Sequence, residues 1–427
     1  MRVPRPGEDR TAYRKWLLKV SRTLVEAQRE VRILKSLTWP DGTRRRFFAR
    51  KARELPRASY AELGYDSRRK SARMKEIAEA LDPTDPLQGI LAETALQYVD
   101  VIAMLRARGK REFYDFSRRL YGHPLEPFAG QTLTELDLAR HLDRLLGPLK
   151  DKDLVARPRM ALTAEEAARL LRKRMRRAFP GAAVKVEVSR NITADAAAGA
   201  ARIRIKRGRM FTRDTVAYLE QHEGYVHIAT TLNGRLQRWV PILGKASPRA
   251  TRVNEGLAVF GEWASHTITV LRLRRLVDRV LAIRMAEEGA DFLQVYRAFL
   301  DRGEDEVAAF DIARRVFRGA DLRGGAPFTK DAAYLGDFLR LFNFARVAVK
   351  KHRLDLLDLM FLGKVTIPDL PILVAHVRDG DLVAPRYLPP WAKNKNWLVT
   401  HMSLSSFLNV IHLPSVEAYY EDLFARC

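Results

Sequence analysis

Between Tyr13 and Leu37 the apolar residues Trp16, Leu17, Val20, Leu24, Val31 and Leu34 recur mostly three, four or seven positions apart, which predicts an amphipathic helix. The same period returns over 87–120, with Leu91, Ala95, Val99, Ile102 and Leu105 on one stripe, and again over 132–145. Breaker clusters at Thr38-Trp39-Pro40-Asp41-Gly42 and Leu81-Asp82-Pro83-Thr84-Asp85-Pro86 mark turns or helix boundaries. Thr163 stands three residues before Glu166 in capping-box spacing, and the helix it opens is expected to stop at Phe179-Pro180-Gly181.

The period then changes. Val184, Val186 and Val188 alternate with polar residues, and so do Ala201, Ile203 and Ile205, which predicts two short strands joined by a loop from Asn191 to Gly199. Thr212 caps a further long helix whose stop signal is Asn233-Gly234. Helical patterns resume over 268–285 and 332–349, and the glycine-rich loop from Arg318 to Gly325 between them is expected to form a substrate wall. The class is therefore α+β, mostly helical with a small sheet.

Composition narrows the picture. Of 427 residues 47% are apolar, enough for a sizeable core and against a wholly disordered chain. The single cysteine, Cys427, excludes an internal disulfide framework and any multi-cysteine metal site, and fits a reducing compartment. No apolar core of signal-peptide length follows the start, and the apolar stretch 354–377 is broken by Asp355, Asp358, Lys364, Pro368, Asp369 and Pro371. The expectation is a cytoplasmic protein with no membrane span. Residues 1–60 and 151–210 carry 21 of the 25 excess positive charges, a field that attracts acidic peptides, acidic polymers or anionic surfaces. Arginine runs at 44–46 and 172–177 keep a basic nucleic-acid-binding or regulatory protein without catalysis as the alternative reading, although no RNA-binding signature or zinc-finger spacing accompanies them.

The chemistry concentrates on the helix after Thr212, in His222-Glu223-Gly224-Tyr225-Val226-His227. Neutral imidazoles are nitrogen ligands for a catalytic Zn²⁺, which takes three protein ligands and leaves one position open, while a nearby carboxylate handles the proton of water. Five residues on an ideal helix separate the two histidines by about 140°, too far to chelate together. A local π-bulge brings His227 back toward His222, and Gly224 eases the distortion. Glu255, 28 positions after His227, offers the third ligand. Glu262 shares its helix face seven residues on, suited to accept a histidine N–H from behind.

His222-Glu223-x-x-x-His227 followed by Asn254-Glu255-Gly256-Leu257-Ala258 resembles the bacterial family named for its Gln-Glu-Gly-Leu-Ala motif, which is similar to the eukaryotic microtubule-associated tyrosine carboxypeptidases. The resemblance runs from the N-terminal helical region to Pro385–Trp391 and includes Arg318-Gly319 and Pro327-Phe328-Thr329-Lys330-Asp331; Asn254 stands where the family has Gln. It implies a zinc metallopeptidase, most of all a carboxypeptidase working on the C-terminal tail of a peptide or protein, with His222, His227 and Glu255 as ligands and Glu223 as general base. An exopeptidase also needs a cation for the substrate's terminal carboxylate, for which Arg204, Lys206, Arg318 and Lys330 are candidates. Tyr225 and Tyr334 are candidate hydrogen-bond donors to the oxyanion. The expected organisation is a helical N-terminal region over residues 1–150 and a metallopeptidase-like catalytic region over 151–427, integrated into one unit because no long polar linker separates them.

Overall fold

The computed structural model describes residues 9–149, 161–190, 192 and 194–424. The expected boundary after residue 150 and Cys427 lie outside these residues. The principal N-terminal helices are α1 (Arg10–Ala27), α2 (Pro86–Arg106), α3 (Glu112–Tyr121) and α4 (Glu135–Leu146). Asp9 and Asp85 accept backbone N–H groups at the starts of α1 and α2, satisfying donors that the first helical turn leaves open. The single helix expected over 13–37 is broken after Ala27, and the turn lets Val31 and Leu37 both reach the core while Leu34 is left exposed. The pattern over 87–120 likewise proves to be two helices, parted at Gly109, whose φ of 76° a helix cannot accommodate.

α5 (Ala164–Ala178) opens on the reciprocal Thr163–Glu166 capping box and ends at Phe179 as expected. The sheet has three strands rather than two: β1 (Lys185–Ser189), β2 (Ala196–Gly199) and β3 (Arg202–Lys206) in the order β1-β3-β2. β1 runs parallel to β3, and β2 antiparallel to it with Ala198 opposite Ile203. β2 lies in the stretch expected to be a loop. Its Ala-Ala-Ala-Gly sequence has no apolar–polar alternation, so periodicity gave no sign of it.

α6 (213–236) carries the two histidines, and α7 (Pro248–Ala264), α8 (Val270–Glu287) and α9 (Ala333–Lys350) complete the surroundings of the site. α6 lies between two cores. Val216, Leu219 and Ile228 join Leu171, Met175, Val186, Ile203 and Ile205 beneath the sheet. Val226 joins the larger helical core, in which Leu17, Leu91 and Ile102 share contacts with Leu257, Phe260, Leu341 and Leu362. Residues on both sides of position 150 thus build one apolar cluster.

Two glycines set the close approaches of this scaffold. Gly234 does not stop α6, which runs on to Leu236; a Cβ there would stand 2.2 Å from the Leu243 carbonyl oxygen, so its bareness serves packing. At Gly256, next to Glu255, a Cβ would lie 2.5 Å from the Asp337 carbonyl carbon, where α7 crosses α9. Gly256→Ala should push the two helices apart and lower stability by about 1–3 kcal/mol, the usual range for overpacking. Urea unfolding reads this directly, and an unchanged midpoint would contradict the crossing.

The loop from Arg318 to Gly325 is anchored at its start. The Gly319 N–H donates to Tyr60 Oη at 2.8 Å, and the Gly319 carbonyl accepts from the Gly109 N–H at 2.9 Å, which ties the loop into the N-terminal helical region. No helix among the described residues is long and apolar enough to cross a membrane.

Candidate metal centre

Within α6 the segment Glu220–Ile228 is a π-helix. Its i→i+5 hydrogen bonds accommodate one more residue than an α-turn, so residues five apart share a face. The His222 and His227 rings accordingly meet with centroids 4.8 Å apart. Gly224 lies under α5, where a Cβ would come within 2.6 Å of Met175 Cε, so a bare position lets the helices close on this turn.

α7 brings Glu255 to the same point. Its Oε2 is 3.7 Å from His222 Nε2 and 3.5 Å from His227 Nε2. One ligand atom from each of the three residues lies within 4.8 Å of the others, and the cluster can hold a metal ion. Glu255 Oε2 is buried without a hydrogen-bond partner, whereas Oε1 accepts from Lys330 Nζ at 2.9 Å.

Each imidazole is oriented through its far nitrogen. His222 Nδ1 meets Glu262 Oε1 at 2.7 Å, and Glu262, wholly buried, is gripped by Arg272 through two bonds of 2.9 Å. His227 Nδ1 meets Asn254 Oδ1 at 2.8 Å, so the asparagine that departs from the family's Gln acts on a histidine. Asn254 Oδ1 also accepts from Lys364 Nζ at 2.8 Å, and that ammonium reaches Thr230 Oγ1 at 2.8 Å and the His227 carbonyl at 3.2 Å. With Nδ1 occupied on both rings, both Nε2 atoms are left for the cluster.

Charge is distributed accordingly. Burial opposes ionisation of Glu255, but Lys330 and the two imidazoles outweigh it and hold the carboxyl well below the usual range. Burial likewise opposes ionisation of Glu262, yet Arg272 and His222 draw it down to about 2. His222 is desolvated, which disfavours its cation, but bonds to Glu255 and Glu262 win and raise it to about 9. Burial pushes the Lys364 ammonium down to about 7, with Glu255 and Glu223 only partly opposing.

Glu223 is buried beside the cluster, and its Oε2 accepts the Ala198 N–H of β2 at 2.7 Å. The sheet thus positions the carboxylate, through a strand that the sequence pattern did not reveal. Tyr334, at the start of α9, stacks on His222 with ring centroids 6.3 Å apart and makes no hydrogen bond to a described residue. Tyr225 instead packs on Phe179 at 5.8 Å.

The four cations proposed for a substrate carboxylate divide. Lys330 is at the cluster, paired with Glu255. Arg318 is one step away, 3.7 Å from Asp331. Arg204 is exposed on β3 and pairs with Glu187 at 3.2 Å, and Lys206 lies two residues further along that strand. Arg272, Arg279 and Lys364 were missed by sequence reasoning. Only Lys364 left a sign, as a lone lysine in the apolar run Met360-Phe361-Leu362-Gly363-Lys364-Val365.

No curated protein sequence matches the chain at a significant level. The microtubule-associated tyrosine carboxypeptidase family matches residues 45–410, a span that includes the whole cluster, and the chain belongs to that family of carboxypeptidases.

Proposed function

We propose that the chain is a zinc-dependent carboxypeptidase that shortens peptide or protein C-termini, with His222, His227 and Glu255 holding the ion and Glu223 as general base. The observation that carries this reading is the orphaned Glu255 Oε2, buried 3.5 and 3.7 Å from two Nε2 atoms whose rings are oriented from behind. Zinc bonds of about 2.0–2.1 Å in tetrahedral geometry place ligand atoms about 3.4 Å apart, so the donors fit that ion with small adjustments. Two imidazoles and one carboxylate also suit zinc better than magnesium or calcium, which prefer oxygen.

When bound there, zinc makes water more acidic and polarises the scissile carbonyl. Glu223, aimed by Ala198, takes the proton of the attacking water and passes it to the leaving amine. Tyr334, whose hydroxyl has no hydrogen-bond partner among the described residues, donates to the oxygen on which negative charge develops. The Lys330 ammonium, 2.9 Å from Glu255 Oε1, holds that carboxylate with Oε2 turned to the histidines.

The positive surface is assigned to acidic stretches of substrate. A concavity of about 320 Å³ lined by Lys185, Arg202, Arg204 and Arg235 opens at Gly199–Ala201, the turn at the end of the strand that holds Glu223. Membership of a carboxypeptidase family supports an enzyme, whereas the nucleic-acid alternative rests on charge alone. The test is release of free tyrosine from acetyl-Ala-Ala-Tyr by the zinc-loaded protein. Cleavage of its C-terminal amide at an equal rate would count against an exopeptidase.

Metal uptake should be coupled to protons. His222 in the metal-free protein keeps its proton up to about 9, and a ligand imidazole must be neutral. Apparent zinc affinity should therefore fall about tenfold for each pH unit below 9. Titration calorimetry near neutral pH, in two buffers of different ionisation enthalpy, should find about one proton released per ion; no release would contradict the assignment.

A further inference from the structure

Beside the metal cluster the structure gathers four cations, Arg279, Arg315, Arg318 and Lys330, against two carboxylates, Asp331 and Glu255. Three of the cations have partners. Lys330 Nζ is 2.9 Å from Glu255 Oε1, Arg315 bonds Asp331 Oδ2, and Arg318 Nη2 is 3.7 Å from Asp331 Oδ1. Arg279, on α8, makes no hydrogen bond or ion pair with any described residue, and its Nη1 is buried without a partner. Its guanidinium rests over the Tyr334 ring at 4.7 Å, and that ring stacks on His222. One aromatic side chain therefore separates a guanidinium with no hydrogen-bonded counter-charge among the described residues from an imidazole of the metal cluster.

A buried guanidinium with an unbonded Nη1 is costly, because the charge of Asp331 and the face of the Tyr334 ring offset only part of its desolvation. Burial, reinforced by Arg315 and only partly opposed by Asp331, pushes the Arg279 guanidinium down to about 10. Such a group is compensated when an anion arrives, and a guanidinium's planar fork matches a carboxylate through two parallel bonds. Either a small free anion or the end of a peptide offers that chemistry. The position favours the peptide: in a carboxypeptidase the terminal carboxylate lies one residue beyond the scissile bond.

We propose that Arg279 receives the terminal carboxylate of the peptide substrate, with Tyr334 as the shelf that holds the guanidinium in place. This rests on the carboxypeptidase reading above. Lys330 is bonded to Glu255, and Arg318, although its Nε is also buried without a partner, stands within 3.7 Å of Asp331 and lacks the direct contact with Tyr334 that places Arg279 behind His222.

The test uses zinc-loaded protein carrying Glu223→Gln, so that peptide binds without turnover, and two fluorescent probes, acetyl-Ala-Ala-Tyr and its C-terminal amide labelled identically. Neither probe has another carboxylate. With Arg279 intact the free acid should bind about 10- to 100-fold more tightly, as expected for charge-assisted bonds to a buried guanidinium. In Arg279→Met that preference should fall to near unity with the amide's affinity unchanged, and Arg279→Lys should be intermediate. The thermal midpoint without peptide should hold or rise in Arg279→Met, because an unpaired buried charge is removed. A large drop in midpoint would make Arg279 structural and overturn the proposal. If the acid preference survives in Arg279→Met, the carboxypeptidase reading stands and the assignment falls. If acid and amide bind alike before any change at Arg279, the exopeptidase reading itself falls, and this inference with it. Competition of sodium acetate with the amide probe as effective as with the acid would place a free anion, not the peptide terminus, at Arg279.

Discussion

Glu223→Gln is expected to keep the bound metal and the fold while lowering kcat for release of a C-terminal residue by about 10²–10⁴-fold, the usual contribution of a general base. The substitution is nearly isosteric. A Gln carbonyl oxygen can still accept the Ala198 N–H that meets Glu223 Oε2 at 2.7 Å, so the link between β2 and the π-helix survives. What is lost is the ability to take a proton from water and return it to the leaving amine. Metal content and thermal midpoint measured on the same preparation separate this from damage to the site. A rate within about threefold of the unaltered protein would move the base elsewhere.

The second large effect is expected at Glu262, which meets His222 on the side of the ring away from Glu255. It is wholly buried, it accepts two bonds from Arg272, and it meets His222 Nδ1 at 2.7 Å. Glu262→Ala leaves a buried guanidinium without its counter-charge, a change that typically destabilises by about 3–5 kcal/mol. It also frees the imidazole to rotate, and losing such a partner weakens metal binding by about 10–100-fold. Glu262→Gln keeps an acceptor for His222 and should be milder in both respects. Urea unfolding and chelator competition read the two effects separately; a loss below about 1 kcal/mol in the alanine variant would show that Arg272 finds another partner.

Much of this site was legible in the sequence because its geometry is local. Five residues between histidines require a helix with one extra residue in the turn, and the π-helix Glu220–Ile228 supplies it. The seven-residue step from Glu255 to Glu262 places both on one side of a helix whatever the tertiary fold, and both do face the histidines. Capping boxes were equally readable, since Thr163 and Glu166 satisfy each other within one turn.

What escaped depends on contacts between distant segments. β2 is a run of alanines that becomes a strand by pairing with β3 and handing Ala198 to Glu223. Gly234 reads as a helix stop, yet the backbone of Leu243 fills the space of its missing side chain and the helix continues. Arg272 and Arg279 sit in a stretch with five arginines over 272–284, and nothing in that pattern says which of them turns inward. Arg204 shows the converse: strand alternation placed it correctly on the polar face of β3, but that face meets Glu187 and solvent rather than the histidines.

The account stands on a metal ion held by His222, His227 and Glu255. Metal content by plasma mass spectrometry, on protein purified without chelators, tests it most directly. One zinc per chain is predicted in the unaltered protein, lost in both His222→Ala and Glu255→Ala and retained in Glu223→Gln. An unaltered protein without metal after zinc is supplied, or a Glu255→Ala variant that keeps a full equivalent, would contradict it.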